Sequence, residues 1–336
     1  MPMVRAIAAV PVARNMHRPG PMTLTRRRLL TIVAAASLTG LAPAVRAEDA
    51  VRWSGAAMGT TARLVLQGGD RAAAAQAVGR CLVELARLER VFSLFQPDSA
   101  LARLNRDGRL DAPPAELVEV LDAARRMHAL SSGAFDPTVQ PLWDLYARHG
   151  SDAHPAMVAA ALARVGMDRV SVSGRGIAFP EPGMALTLNG IAQGYITDRI
   201  AALLRDHGFR HVLVDLGELR ALGPRADGLP WRVGVEGPGA ALALDLDGLA
   251  AATSSGAGTA VDAAGRVQHI FDPATGRSSR QARRVTVVAR DATTADALST
   301  ALCVVPPDRV HACFAASGAL AAYVVPADGP MITLTV

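Results

Sequence analysis

Strand-like and helix-like segments follow one another irregularly along this 336-residue chain, and that order restricts its fold more than any other feature. Six stretches carry the helical period of apolar residues: Arg71 to Phe92, Ala115 to Leu130, His154 to Val165, Ile191 to His207, Ala295 to about Ala301, and Pro307 to Ala316. The first shows a stripe of Val78, Leu82, Leu85, Leu88 and Val91–Phe92. Short β-like runs fall between and after the helices: Thr61–Leu66, Val170–Val172, Ala185–Leu188, His211–Leu216, Trp231–Val235, Ala241–Leu244, His269–Phe271, Val285–Ala289, Ala321–Val325 and Met331–Val336. A doubly wound parallel sheet needs regular β-α-β alternation, and its dinucleotide-binding form needs a GxGxxG turn after a strand. Neither is present, so the chain is predicted to be α+β with mixed sheets and helices, not a Rossmann fold. Half of its residues are apolar and 19% are charged, enough to bury a core. No repeat and no long Pro/Ser linker interrupts it, so residues 48–336 are expected to form one domain.

The formal charge of +5 invites a nucleic-acid or anionic-membrane partner until its location is checked. Residues 1–47 hold seven arginines and no acid, leaving 28 arginines against 30 acids in the remainder. The basicity belongs to a leader, and no nucleic-acid partner is expected. In that leader Thr25-Arg26-Arg27-Arg28-Leu29-Leu30 precedes a modestly apolar run, and Val45-Arg46-Ala47 offers small-residue cleavage geometry. This is the pattern of a twin-arginine signal peptide, which predicts handling by the Tat export machinery and a periplasmic mature protein. The apolar run of about 13 residues falls short of the roughly 18–20 that span hydrocarbon. The chain has no lysine at all, which removes Walker-type phosphate loops and Schiff-base chemistry.

Cys81, Cys303 and Cys313 show neither CxxC nor Cys/His ligand spacing and read as buried structural thiols, with a Cys303–Cys313 pair the alternative in an oxidising compartment. Chemistry is better sought in four local constellations. In Thr294-Ala295-Asp296-Ala297-Leu298-Ser299-Thr300, a helix puts Asp296 and Thr300 on one face with Ser299 beside them. Hard oxygens of this kind suit Mg²⁺, although the same residues also serve as ordinary helix caps. In Leu188-Asn189-Gly190-Ile191-Ala192-Gln193-Gly194-Tyr195 a strand-like run turns into a helix through small residues, a place where backbone N–H groups can hold phosphate. His269 to Gly276 and Ser131 to Thr138 are Asp-Pro turns of similar character.

Taken in order, these segments resemble the ApbE family of FAD:protein FMN transferases. The resemblance rests on Met58-Gly59-Thr60, Phe92 to Ser99, Leu104-Asn105, Ser132 to Thr138 with Pro141-Leu142-Trp143, and Asn189 to Tyr195 with Asp198. It continues through Asp215-Leu216-Gly217, Trp231, Thr253-Ser254, His269 to Gly276, and Ala295 to Thr300. It implies an enzyme that binds FAD with Mg²⁺ and joins the FMN half by a phosphoester bond to a Thr or Ser of a target flavoprotein, releasing AMP. Carried over by position, Met58, Phe95, Ala134, Phe135, Asp136, Gln193 and Phe271 would contact FAD. Mg²⁺ would be held by the Gly190 carbonyl, Asp296 and Thr300, with Ser299 at a position often acidic in relatives. His269 is the candidate for taking the proton of the acceptor hydroxyl, since imidazole titrates near neutrality.

Four positions depart from the family pattern. Thr187 and Ser299 replace usual acids, Gln193 stands where lysine is common, and Gly217 is followed by Glu218 where a second glycine is usual. These departures keep two other activities in view: an FAD-binding accessory or carrier that performs no transfer, and a Mg²⁺-dependent FAD pyrophosphatase. The leader together with Leu186-Thr187-Leu188-Asn189 is similar to the NosX subgroup, which implies the membrane protein NosR of nitrous oxide respiration as the flavin acceptor.

Overall fold

The computed structural model describes residues 50–57, 59–237, 241–256, 260–262 and 265–336. The signal peptide read at 1–47 and the candidate flavin contact Met58 lie outside the described residues. From the first described residue the order is β1 (Ala50–Ala57), β2 (Thr60–Gln67), α1 (Arg71–Phe92), α2 (Ala100–Asp107), β3 (Arg109–Asp111), α3 (Ala115–Leu130), α4 (Gln140–His149) and α5 (Pro155–Leu162). It continues with β4 (Ser171–Ser173), β5 (Gly176–Ala178), α6 (Ala192–Asp206), β6 (His211–Asp215), β7 (Leu219–Leu222), β8 (Trp231–Val235), β9 (Leu242–Leu246) and β10 (Ala250–Ser254). The last elements are β11 (Phe271–Asp272), β12 (Arg277–Ser278), β13 (Ala282–Ala289), α7 (Ala292–Leu302), α8 (Val310–Ser317), β14 (Ala321–Pro326) and β15 (Ile332–Thr335).

Eight strands form the main sheet in the order β1-β2-β6-β7-β10-β13-β14-β15. Every ladder among the described residues is antiparallel, which confirms the α+β reading and leaves no place for a Rossmann unit. Side-chain alternation gives the central strands two apolar faces. Val212 and Val214 of β6, Ala252 of β10, and Val285 and Val287 of β13 join the main core, which also takes the buried faces of α1, α6 and α7. Their neighbours Leu213, Ala251 and Val288 point the other way and are covered by Trp231, Val233, Val235, Leu244 and Leu246 of the β8–β9 ribbon. A third, smaller cluster joins α4 and α5 to the 261–271 region through Leu142, Tyr146, Ala161, Val261, Val267 and Phe271.

Local chemistry explains the element ends. The Asp70 carboxylate accepts the Ala73 N–H at 2.9 Å and starts α1, and the Ser99 hydroxyl accepts the Ala102 N–H at 3.0 Å and starts α2. Along α1 the buried stripe includes Cys81, Leu85 and Leu88, while Leu82 is 36% exposed. At about 100° per residue Leu82 lies just over a quarter turn from the centre of that stripe and Cys81 close to it, so Cys81 takes the core position. Helices α2 and α4 are additional to the six that periodicity indicates. They have eight and ten residues. Ala185–Leu188, predicted as a strand, joins no ladder. The Asn105 side chain takes the place of a neighbouring strand, accepting the Leu186 N–H and donating to the Leu186 carbonyl, both at 2.8 Å. All three cysteines are buried free thiols, so the Cys303–Cys313 pair is not formed.

Candidate active site

A cavity of about 370 Å³ opens where the start of α6, the end of β10, one face of α7 and two loops converge. That volume lies within the usual range for small-molecule sites. Its wall contains Ala134, Phe135 and Asp136 from one loop, His269 and Phe271 from the segment that leads into β11, Gly190 from the turn before α6, and Gln193, Asp296 and Thr300 from α6 and α7. Nine of the candidate residues are thereby brought together from segments far apart in sequence.

Two glycines make the convergence of α6 and α7 possible. A Cβ at Gly194 would stand 2.2 Å from the Ala292 carbonyl oxygen and 2.8 Å from the Asp296 Cβ, so no larger residue fits between the helices. A Cβ at Gly190 would stand 2.9 Å from the Thr300 Oγ1, which brings that turn directly over the α7 hydroxyl. The Asp296 side chain is 3% exposed, and its Oδ2 accepts the Gly194 N–H at 3.0 Å. Thr300 follows one turn later. The Asp296 carboxylate and the Thr300 hydroxyl are hard oxygens of the kind that accepts Mg²⁺ with water and phosphate completing its shell. Among the described residues no group of three or more His, Cys, Asp or Glu side chains offers a softer or more heavily charged metal site.

α7 itself is fixed at its start. The Asp291 Oδ1 caps it by accepting the Thr294 N–H at 2.7 Å. Asp198 of α6 accepts the Ala292 and Thr293 N–H groups at 2.9 and 2.8 Å and the Thr293 hydroxyl at 2.7 Å. Burial pushes the Asp198 carboxyl up, and these three donors oppose that shift. Arg220 approaches the same carboxylate at 3.5 Å.

Three candidate residues stand differently from their expected places. Phe95 is 65% exposed and outside the cavity wall, because the turn after α1 closes on the Ser93 hydroxyl, which accepts the Phe95 and Gln96 N–H groups at 3.1 Å. Ser299 is fully buried and is absent from the wall; its hydroxyl donates to the Asp296 carbonyl at 2.9 Å and lies 2.7 Å from the Ser254 Oγ. A side chain so enclosed does not face a ligand in the cavity. Asp136 does reach the wall, but its Oδ1 accepts the Thr138 N–H and hydroxyl at 2.8 and 2.5 Å, and its Oδ2 accepts the Met167 N–H at 3.1 Å. Its carboxylate builds the loop that presents Phe135.

The wall also contains residues that motif reading did not assign. Ser254, at the end of β10, lies 3.1 Å from the Thr300 Oγ1. Glu218 is 5% exposed and lies in the β6–β7 turn, where Gln193 donates to the Leu216 carbonyl at 3.4 Å. The signal for Glu218 was its own departure from the expected paired glycines. Trp143 contributes an aromatic edge, and Phe271 is stacked on Tyr146 with ring centroids 5.3 Å apart.

The ApbE family model matches residues 58–324, most of the chain. The chain belongs to the ApbE family. Among curated ApbE relatives, the FAD:protein FMN transferase of Klebsiella pneumoniae (strain 342) is 30% identical over 330 residues, covering 92% of this chain and 94% of that protein. The FAD:protein FMN transferase of Vibrio cholerae (strain ATCC 39541 / Classical Ogawa 395 / O395) is 31% identical over 298 residues, covering 83% and 88% of the two chains. Among solved ApbE structures, the flavin transferase from Vibrio cholerae superposes with a TM-score of 0.75 at 27% identity, over 85% of this chain and 96% of that one. The apo flavinyl transferase of Pseudomonas stutzeri gives 0.73 at 30% identity, over 85% and 94%. The ApbE fold therefore extends across the sheet, the helices and the cavity described above.

Proposed function

We propose that this ApbE protein is a Mg²⁺-dependent FAD:protein FMN transferase acting on a periplasmic or membrane flavoprotein. The observation that carries the proposal is the convergence of Gly190, Asp296 and Thr300 in one cavity with Phe135 and Phe271, in a chain whose relatives are FMN transferases over nearly their whole length.

In the proposed reaction a Thr or Ser hydroxyl of the acceptor attacks the FMN-side phosphorus of FAD. A P–O bond to the acceptor forms, the bond to the bridging oxygen breaks, and AMP departs with the electron pair. Phe135 and Phe271 offer apolar faces to the flavin and adenine rings. The positive end of α6 lies at the Gly190 turn and favours the diphosphate there. Asp296, Thr300 and the Gly190 carbonyl would hold Mg²⁺, which when bound supplies positive charge to the phosphate oxygens and the departing AMP. His269, in the same wall, takes the acceptor proton in this scheme. Gln193 brings no charge, so the diphosphate depends on α6 and the cation.

The leader assigns export by the Tat route, and its likeness to the NosX subgroup makes NosR the first acceptor to try. Incubation of the mature protein with FAD, Mg²⁺ and an acceptor domain bearing the target Thr is expected to give a flavin-fluorescent band in a denaturing gel. Asp296→Ala is expected to lower the labelling rate by about a hundredfold or more. An unlabelled, intact acceptor set would overturn the transferase reading. FAD recovered whole would then point to a carrier, and FMN plus AMP without label to a pyrophosphatase.

A further inference from the structure

We infer that Ser254 is a positioning residue of the cation site, taking the hydroxyl proton of Thr300 and so turning the Thr300 lone pairs toward the cavity. This rests on the assignment of Asp296 and Thr300 as Mg²⁺ ligands and adds two residues to it, Ser254 in the wall and Ser299 behind it.

Proton counting carries the argument. A Ser or Thr hydroxyl has one proton to donate and two lone pairs to offer. The Ser299 Oγ lies 2.9 Å from the Asp296 carbonyl oxygen, and a carbonyl can only accept, so the Ser299 proton is committed there. The Ser254 Oγ lies 2.7 Å from the Ser299 Oγ, and the proton in that contact must come from Ser254. The same Ser254 Oγ lies 3.1 Å from the Thr300 Oγ1, and with Ser254 already committed the proton there belongs to Thr300. Donation therefore runs in one direction, from Thr300 to Ser254 to Ser299 to the Asp296 carbonyl.

The consequence falls on the cavity side. Thr300 has no proton left to offer, and its oxygen stands 2.9 Å from the position a Gly190 Cβ would occupy. An oxygen in that state attracts a cation and repels a phosphate oxygen. With the chain broken, Thr300 is free to point its proton into the cavity and to bind phosphate directly, without metal. Ser299, which replaces a usual acid, thus serves the metal site through orientation and adds no charge to it.

The test is Mn²⁺ binding to the FAD-loaded full-length mature protein, followed by the EPR signal of free Mn²⁺. Ser254→Ala is expected to weaken Mn²⁺ binding by about tenfold, in line with the usual cost of removing a group that orients a metal ligand. Ser299→Ala is expected to act in the same direction, and Ser254→Thr, which keeps the hydroxyl, to stay within about twofold of the parent. Because Ser254 acts through Thr300, Ser254→Ala is expected to have no further effect in a Thr300→Val background. The metal-free urea midpoint of each variant checks its fold. Parent-like Mn²⁺ binding in Ser254→Ala, or an equal loss in the Thr300→Val background, would overturn the inference, as would a parent protein that binds no Mn²⁺. Flavin labelling of an acceptor is read separately, so failure of the positioning role and failure of the transferase reading give different results.

Discussion

At the scale of single residues, the buried groups divide into those that face the cavity and those that support it. Asp296 and Thr300 face it, whereas Ser299 and the Asp136 carboxylate spend their hydrogen bonds on their own chain. The cysteines belong to neither group. Burial pushes the Cys81 and Cys303 thiols up to about 12 and the Cys313 thiol up to about 11. At pH 8 a thiol titrating near 12 is ionised in about one molecule in ten thousand, and the thiolate is the reactive form. The folded protein is therefore expected to resist iodoacetamide at pH 8, and all three thiols to react after unfolding in denaturant; mass spectrometry of the alkylated chain reads both. Rapid labelling of the native protein would contradict this burial. Spacing already placed Asp296 and Thr300 on one helical face. It could not show that Ser299, three residues from Asp296, turns inward, because α7 is covered on more than one side.

At the scale of elements, the site depends on how α6 and α7 are held together. Gly194 permits their contact, and Asp198 bonds the first N–H groups of α7 from the neighbouring helix. Removing that carboxylate leaves the buried start of α7 without two of its acceptors. Asp198→Ala is expected to destabilise the protein by about 1–2 kcal/mol, measured from urea unfolding, and Asp198→Asn by less, because the amide oxygen still accepts one donor. Equal stability in Asp198→Ala would show that the Asp291 cap alone secures the helix. Helix limits were legible where the apolar period runs through several turns, as in α1 and α3, whose predicted and observed bounds coincide. They were not legible for α2 and α4, which are no shorter than α5 and α8 but are closely flanked by turn residues, Pro97 and Gly108 around α2 and Pro137 and Pro141 at the start of α4. Ala185–Leu188 has strand-like residues but pairs with no strand: the Asn105 side chain bonds both Leu186 backbone groups, and the Pro137 carbonyl accepts the Thr187 N–H.

At the scale of the molecule, each of the three tryptophans reports on a different apolar cluster. Trp53 packs against the main core, Trp231 lies in the cluster between the β8–β9 ribbon and the main sheet, and Trp143 joins the α4–α5 cluster. We propose that residues 48–336 fold as one domain. In the unsubstituted protein, the urea transitions followed by tryptophan fluorescence and by far-UV circular dichroism are then expected to coincide. Separate transitions would mark one of the clusters as an independent unit. The sequence by itself determined the α+β class, the amphipathic faces of the longer helices, the ordered ApbE motifs and the Asp296/Thr300 pair, because all of these are written in local spacing and residue type. Only the tertiary structure decided that Phe95 faces outward, that Ser299 lies behind the wall, and that Ser254 and Glu218 join it. Those outcomes depend on which distant segment covers a given side chain, and no local period records that.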